Sequence, residues 1–382
     1  HTRYSSWEIS RGQEGDPWKG NLTDVGIPEE TGNRRSGAWG RQDWVNRSYM
    51  GDQKDHHQTK TFDLGAEFIR TNHAEDNWFL QIETFDPHEP YFVPQKYKDL
   101  YPHAYDGPPF DWPNYGPVTE DPEAVEHLRM MNAALISMCD DSLGRVLDLM
   151  DEHDLWTDTL LIVNTDHGFL LSEHGWWAKC AMPFWNEIAH SPLFVWDPRC
   201  EAAGERREAL VQTIDIAPTL LEYFGIDRPA DMHGAVLRET IAADTPVREA
   251  GIYGIHGAHV NVTDGRYVYM RAPVSADNTP LYEYTHMPTH MRNAFDVDQL
   301  QDIQLAEPFD FTKGCRTMKI AGRCGDGRHE FGTMLFDLET DPKQEHPLDD
   351  PAIEKRMIEL MVGLMKANDC PAEQFERLGL DA

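Results

Sequence analysis

The sequence predicts an α/β fold in which helices flank a mostly parallel central sheet, with a smaller C-terminal antiparallel sheet plus helix. Three observations carry this. Short apolar runs alternate with helix-period segments over the first two thirds of the chain, polar residues follow directly where those runs end, and strand-like pieces with a hairpin turn begin at about Glu249. The expected division is an α/β domain over residues 1–248 and an α+β subdomain over residues 249–382.

Residues His1 to His57, rich in Gly, Trp and charge around RGQEGDPW (Arg11 to Trp18), lack periodicity and read as ordered loop. FDLGAEFIRT (Phe62 to Thr71) has helical spacing, and WFLQIE (Trp78 to Glu83) is a short apolar strand leading into TFDPHEPYFVP. Asp121 is placed to cap a helix with Pro122 in its first turn. Apolar residues then recur from Val125 through Leu128, Met131, Leu135 and Met138 to Met150, which predicts a long amphipathic helix packed on a sheet. Strands at Leu160 to Asn164 and in SPLFVWDP (Ser191 to Pro198) come next, then a helix around Ile214 to Phe224 ended by Gly225. In the last third, Gly251 to Ala272 holds Asp264-Gly265 as a hairpin turn, Gly332 to Pro342 contains another strand, and Pro351 to Ala367 is a final helix.

With 34 basic against 66 acidic residues, the net charge of −32 opposes encounter with nucleic acid or an anionic membrane. Arg outnumbers Lys 23 to 11 and the acids are dispersed, a pattern suited to a surface kept soluble at high salt. Six cysteines show no metal-type spacing, and Cys315 with Cys324 is the one candidate bridge should the protein be exported. No apolar run approaches the ~18 residues that span a bilayer. The start at His1, in a polar stretch, suggests a truncation or processing point, so the compartment, cytoplasmic or exported, stays open.

The densest chemistry lies in TDHGFLLSEHGWWAK (Thr165 to Lys179), directly after the run LLIVN, and strand carboxyl ends are where open α/β sheets bind ligands. Asp166 and His167 side by side can face one divalent cation, with Gly168 allowing the backbone to turn close to it. Glu173, His174 and Gly175 follow. Lys179 is the only lysine between Lys98 and Lys313, so it belongs to no general basic surface and suits an anionic substrate beside a metal.

This stretch resembles the second signature of the formylglycine-dependent (type I) sulfatases of the alkaline phosphatase superfamily. FDPHEPYFVP (Phe85 to Pro94) is similar to their Pro-His-x-Pro element, and Asp140 to Gly168, TIDIAPTLLEYFGI (Thr213 to Ile226), Met232 to Gly234 and LFDLETDPKQEHPL (Leu335 to Leu348) match further segments in the family order. The resemblance implies an alkaline phosphatase/sulfatase-like fold and hydrolysis of a sulfate ester, of a small molecule or a carbohydrate. Asp166 and His167 become metal ligands, for calcium or else Mg²⁺ or Mn²⁺. Lys179 and His88 become catalytic residues that meet the sulfuryl oxygens or the leaving alcohol, and His174, His256 and His259 are candidates for substrate binding. A phosphodiesterase or phosphonate monoester hydrolase of the same superfamily is the alternative, and a non-catalytic binder of sulfated ligands is another.

The pattern departs from the family in one respect. No cysteine or serine stands in a Cys/Ser-x-Pro/Ala-x-Arg motif, and no Asp-Asp pair follows an apolar strand. The formylglycine is therefore not encoded in these 382 residues, which resemble the C-terminal three quarters of a sulfatase; an N-terminal fragment is the implied partner, and alone the chain is expected to be inactive. His56-His57, in a polar loop, reads as a solvated pair before a metal pair. Leu281 to Arg292 reads as a surface loop before a pocket rim. Asn21, Asn46 and Asn261 head sequences that fit glycosylation acceptors.

Overall fold

The structure, a computed structural model, describes residues 3–33, 37–287, 289–290, 293–324 and 328–381. Two compact units are present, one built from His1–Thr159 with Leu170–Ala178 and the other from Leu160–Phe169 with Lys179–Ala382.

The first unit carries α1 (Gly37–Arg47), α2 (His57–Asn72), α3 (Gln95–Lys98) and α4 (Pro122–Glu152). The α4 N-terminus is held by Asp121, whose carboxylate accepts the Ala124 N–H at 2.9 Å, with Pro122 at the position where a missing N–H costs nothing. Leu128, Met131, Leu135, Met138, Val146 and Leu149 form its buried stripe, and within the unit α4 packs chiefly on α2 and α3. A buried ion network ties the N-terminal loop region down: Arg47 donates to both oxygens of Asp111 at 2.6 and 2.9 Å and to Asp43 at 2.8 Å, and Asn33 donates to Asp111 at 2.9 Å. Burial alone would raise the Asp111 carboxyl, but the Arg47 charge and hydrogen bonds overcome it and hold the group below its usual range.

After α4 the chain makes β1 (Leu161–Asn164) of the second unit, then the short hairpin β2 (Leu170–Leu171) and β3 (Trp177–Ala178) of the first. In the second unit, β1 pairs antiparallel with β4 (Leu193–Trp196), with α5 (Asn186–Ala189) between them and α6 (Ile216–Tyr223) and α7 (Arg238–Ala243) beyond. The four-stranded antiparallel sheet combines β5 (Gly251–Gly254), β6 (Val260–Thr263), β7 (Tyr267–Arg271) and β11 (Met334–Asp337), in the order β11-β7-β6-β5. Its core joins Val262, Tyr269 and Leu335 to Met357, Met361 and Met365 of α9 (Pro351–Ala367) and to Phe375 and Leu378 of α10 (Ala372–Leu378). The β6–β7 turn is the Asp264-Gly265 hairpin expected from sequence: Asp264 accepts the Arg266 and Tyr267 N–H groups at 3.0 and 2.7 Å, and Gly265 sits at φ +93°. A second sheet, β8-β10-β9, uses β8 (Tyr282–Thr285), β9 (Gln304–Ala306) and β10 (Thr317–Ala321), with α8 (Val297–Gln301) between β8 and β9 in sequence.

Several expectations change here. All strand pairings among the described residues are antiparallel, and the parallel pairings expected for the central sheet are not among them. A parallel partner requires a crossover, usually a helix, whereas β1 returns to β4 through loops, the β2–β3 hairpin and a single short helix. Trp78–Glu83 has no ladder partner among the described residues and is not a strand. Part of the tract read as surface loop is β8; Pro288, Met291 and Arg292 of that tract lie outside the described residues. Cys315 and Cys324 are free thiols, and the extended β10, roughly 16 Å long, separates them. Two glycosylation candidates are interior: Asn261 is buried, and Asn46 is buried with its amide donating to the Glu14 and Asp16 carbonyls at 3.0 and 2.8 Å.

Candidate functional site

In the second unit, Asp166 and His167 stand at the end of β1. The Asp166 side chain is 82% exposed and accepts the His167 N–H at 2.9 Å, while His167 Nε2 lies 3.5 Å from its other oxygen. His167 Nδ1 is 2.9 Å from the Gly168 carbonyl, so Nδ1–H donates there and the other ring nitrogen faces the carboxylate as the lone-pair atom. One carboxylate oxygen and one imidazole nitrogen therefore present donor atoms together, a set that fits a divalent ion.

Gly168 is the reason this pair can sit where it does. Its N–H donates to the Ile188 carbonyl at 2.8 Å, and a Cβ on Gly168 would fall 1.8 Å from the Glu187 carbonyl oxygen. Both atoms are backbone, so neither yields by a rotamer change. Gly168→Ala is expected to cost at least about 1–3 kcal/mol by overpacking, read out as a lowered Tm; an unchanged Tm would refute this close packing.

Lys179 is half-buried and lies between two non-glycine residues in the left-handed region, Ala178 at φ +81° and Cys180 at φ +61°. Each costs on the order of 1–2 kcal/mol, and such strain gathers at functional sites. Elsewhere in the second unit, TIDIAPT and MHG are joined by packing: Asp215, fully buried, accepts the Ala235 N–H at 2.8 Å and both Arg248 Nη groups at 2.5 Å, and a Cβ on Gly234 would fall 2.0 Å from the Ile214 carbonyl oxygen.

In the first unit, Glu173 works as a clamp for the β2–β3 connection. Its carboxylate accepts the Leu171 N–H at 2.5 Å and pairs with Arg129 at 3.1 Å, and Arg129 Nε donates to the Leu171 carbonyl at 2.7 Å. His174 sits at φ +54° in the same turn, whose Gly175 carbonyl accepts the Val118 N–H at 2.8 Å. Fully buried Trp177 anchors the hairpin, donating from Nε1 to Glu120 at 2.7 Å.

His88 follows the loop from Thr84. Its Nδ1 lies 2.6 Å from the Glu89 carbonyl, with carboxylate oxygens of Glu89 at 3.3 Å and Glu14 at 3.9 Å, and its ring rests on Phe85 with centroids 4.4 Å apart. Glu89 is buried and accepts from Tyr115 Oη. Sequence reading missed both acids, because Glu14 is distant in sequence and nothing local marks Glu89 as buried.

His256 and His259 belong to the C-terminal part of the second unit. Exposed His256 is bonded to the Tyr282 carbonyl at 3.0 Å, and buried His259 to the Gly332 carbonyl at 2.8 Å with its ring edge-on to Phe331. These contacts tie strand ends together.

Comparison with known proteins agrees with this architecture. The family model described as Sulfatase matches residues 19–226, and that described as N-sulphoglucosamine sulphohydrolase, C-terminal, matches residues 172–307. The chain belongs to the sulfatase family, and its fold is that of the alkaline phosphatase-like enzymes. It is 28% identical over 262 residues to a sulfatase of Formosa agariphila, covering 62% of this chain and 50% of that protein. The crystal structure of yidJ from Bacteroides fragilis is similar at a TM-score of 0.58 and 16% identity, covering 83% of this chain and 60% of that one. Phosphonate monoester hydrolase from Silicibacter pomeroyi is similar at a TM-score of 0.54 and 18% identity, over 82% and 61% of the two chains. The chain thus spans about half the length of the curated relative. Sulfatases generally use a divalent metal. No helix among the described residues is long and apolar enough to cross a membrane.

Proposed function

We propose that this chain is the metal- and substrate-binding part of a sulfuric ester hydrolase whose nucleophile lies outside these 382 residues. The observation that carries the reading is the Asp166–His167 donor pair, held at the end of β1 by the close Gly168–Glu187 packing in a chain of the sulfatase family. Asp166 and His167 would hold the cation, calcium by family resemblance, with Mg²⁺ or Mn²⁺ as the alternatives to be measured. A divalent ion bound there supplies Lewis-acid stabilisation of charge on the sulfuryl oxygens. Lys179, fixed between two strained residues, meets the same anionic ester as a point charge. His88 gives a proton to the departing alcohol, the two carboxylates beside it orienting the ring. His174, His256 and His259 are the candidates for contacts to the alcohol, a small molecule or a carbohydrate.

The test compares hydrolysis of an aryl sulfate, a sulfated sugar and an aryl phosphodiester by the 382-residue chain and by a product extended upstream to include a Cys/Ser-x-Pro/Ala-x-Arg segment. Sulfate ester turnover by the extended product alone is expected. Preferential turnover of the phosphodiester would replace the reading by its superfamily alternative. No turnover by either would make the protein a binder.

A further inference from the structure

We propose a second cation site, distinct in chemistry from Asp166 and His167, formed in the first unit by His56, His57 and Asp86 and suited to Zn²⁺. The three residues are 1%, 6% and 6% exposed. His56 Nδ1 and His57 Nε2 each lie 3.6 Å from an oxygen of Asp86, and the two rings are 4.4 Å apart. A separation of 3.6 Å is too long for a hydrogen bond. It is close to the edge of a tetrahedron, about 3.4 Å, whose corners are ligands about 2.1 Å from a central ion.

The individual donor atoms are set for the same purpose. His56 Nε2 lies 3.2 Å from the Phe92 carbonyl and donates to it, which leaves Nδ1 as the lone-pair nitrogen, with the Gln58 N–H at 3.4 Å as its one hydrogen-bond donor. Such a carbonyl behind a ligating imidazole is the usual orienting partner of a metal-binding histidine. Asp86 Oδ2 is buried and has no hydrogen-bond partner among the described residues, an expensive condition for a carboxylate that no cation meets.

Two imidazole nitrogens and one carboxylate favour a zinc-class ion over calcium or magnesium, which take oxygen ligands. The sequence disguises the cluster. His56 ends the loop that caps α2, His57 opens α2, and Asp86 arrives from a loop about thirty residues later.

The 382-residue chain carrying Asp166→Asn and His167→Ala, so that the other donor pair contributes nothing, is stripped with chelator and titrated with Co²⁺ and then Zn²⁺. One equivalent of Co²⁺ is expected, with a visible ligand-field band that Zn²⁺ abolishes and Ca²⁺ does not. Adding Asp86→Asn or, separately, His57→Gln is expected to remove the uptake and the zinc-dependent rise in Tm while keeping the far-UV circular dichroism. Absence of uptake by the folded background chain overturns the site, as does uptake that survives both substitutions. Neither readout uses sulfatase turnover, so failure of this site and failure of the hydrolase reading are separately visible.

Discussion

Asp166→Asn is expected to lower kcat/KM for a sulfate ester on the order of 10³-fold in a product that carries the nucleophile, with the fold unchanged. The magnitude follows from removing a charged ligand of an ion that supplies several kcal/mol of charge stabilisation. Stability barely changes because the carboxylate is 82% exposed and its hydrogen bonds are local, to the His167 N–H at 2.9 Å and Thr165 Oγ1 at 3.4 Å. Substitutions at such positions move stability by roughly 0.5 kcal/mol or less. Steady-state kinetics over a range of divalent ion concentration, with a thermal melt on the same sample, separate the two effects. Excess cation should restore part of the loss, since His167 remains. Undiminished kcat/KM would remove Asp166 from the catalytic centre.

Arg47→Met should produce the largest loss of stability, about 3–5 kcal/mol, because it leaves the buried carboxylates of Asp43 and Asp111 without their cation. The pair is 7% and 11% exposed, so solvent screening relieves little of this. Burial raises Asp43 to about 6 even beside Arg47, whereas Asp111 is held below its ordinary value. The signs differ accordingly. Asp111, depressed when folded, contributes stability that is present above its unfolded value of about 3.9 and is lost as pH falls through its folded value. Arg47→Met removes that contribution, so its urea midpoint at neutral pH should drop and its stability should fall less steeply on acidification than that of the parent. Adding Asp43→Asn and Asp111→Asn should recover part of the loss, since the orphaned charges are then gone. Equal urea midpoints for parent and Arg47→Met would show that the network contributes nothing.

Much of the candidate site was legible because its signals are local. Asp166, His167 and Gly168 are consecutive and follow an apolar run, and the close Gly168–Glu187 packing explains why glycine stands there. Glu173 was harder to read. Its partners are the Leu171 N–H two residues away and Arg129 on α4, and the second of these cannot be inferred from spacing. His259 has a motif-like neighbourhood, yet its bond to Gly332 joins positions 73 residues apart.

Local chemistry determined the features the sequence specified alone: the Asp121 cap and Pro122 at the start of α4, the Asp264-Gly265 hairpin, and the Asp-His pair after β1. Each depends on groups within about four residues of one another, whose geometry the backbone dictates wherever they occur. Tertiary structure alone decided that His56 and His57 are buried against Asp86, that Arg47 finds Asp111 across 64 residues, and that Asn46 and Asn261 face the interior. Burial is a property of what packs above a residue. A polar side chain in a loop has the same local sequence whether water or a carboxylate covers it, so only the long-range fold could supply the difference.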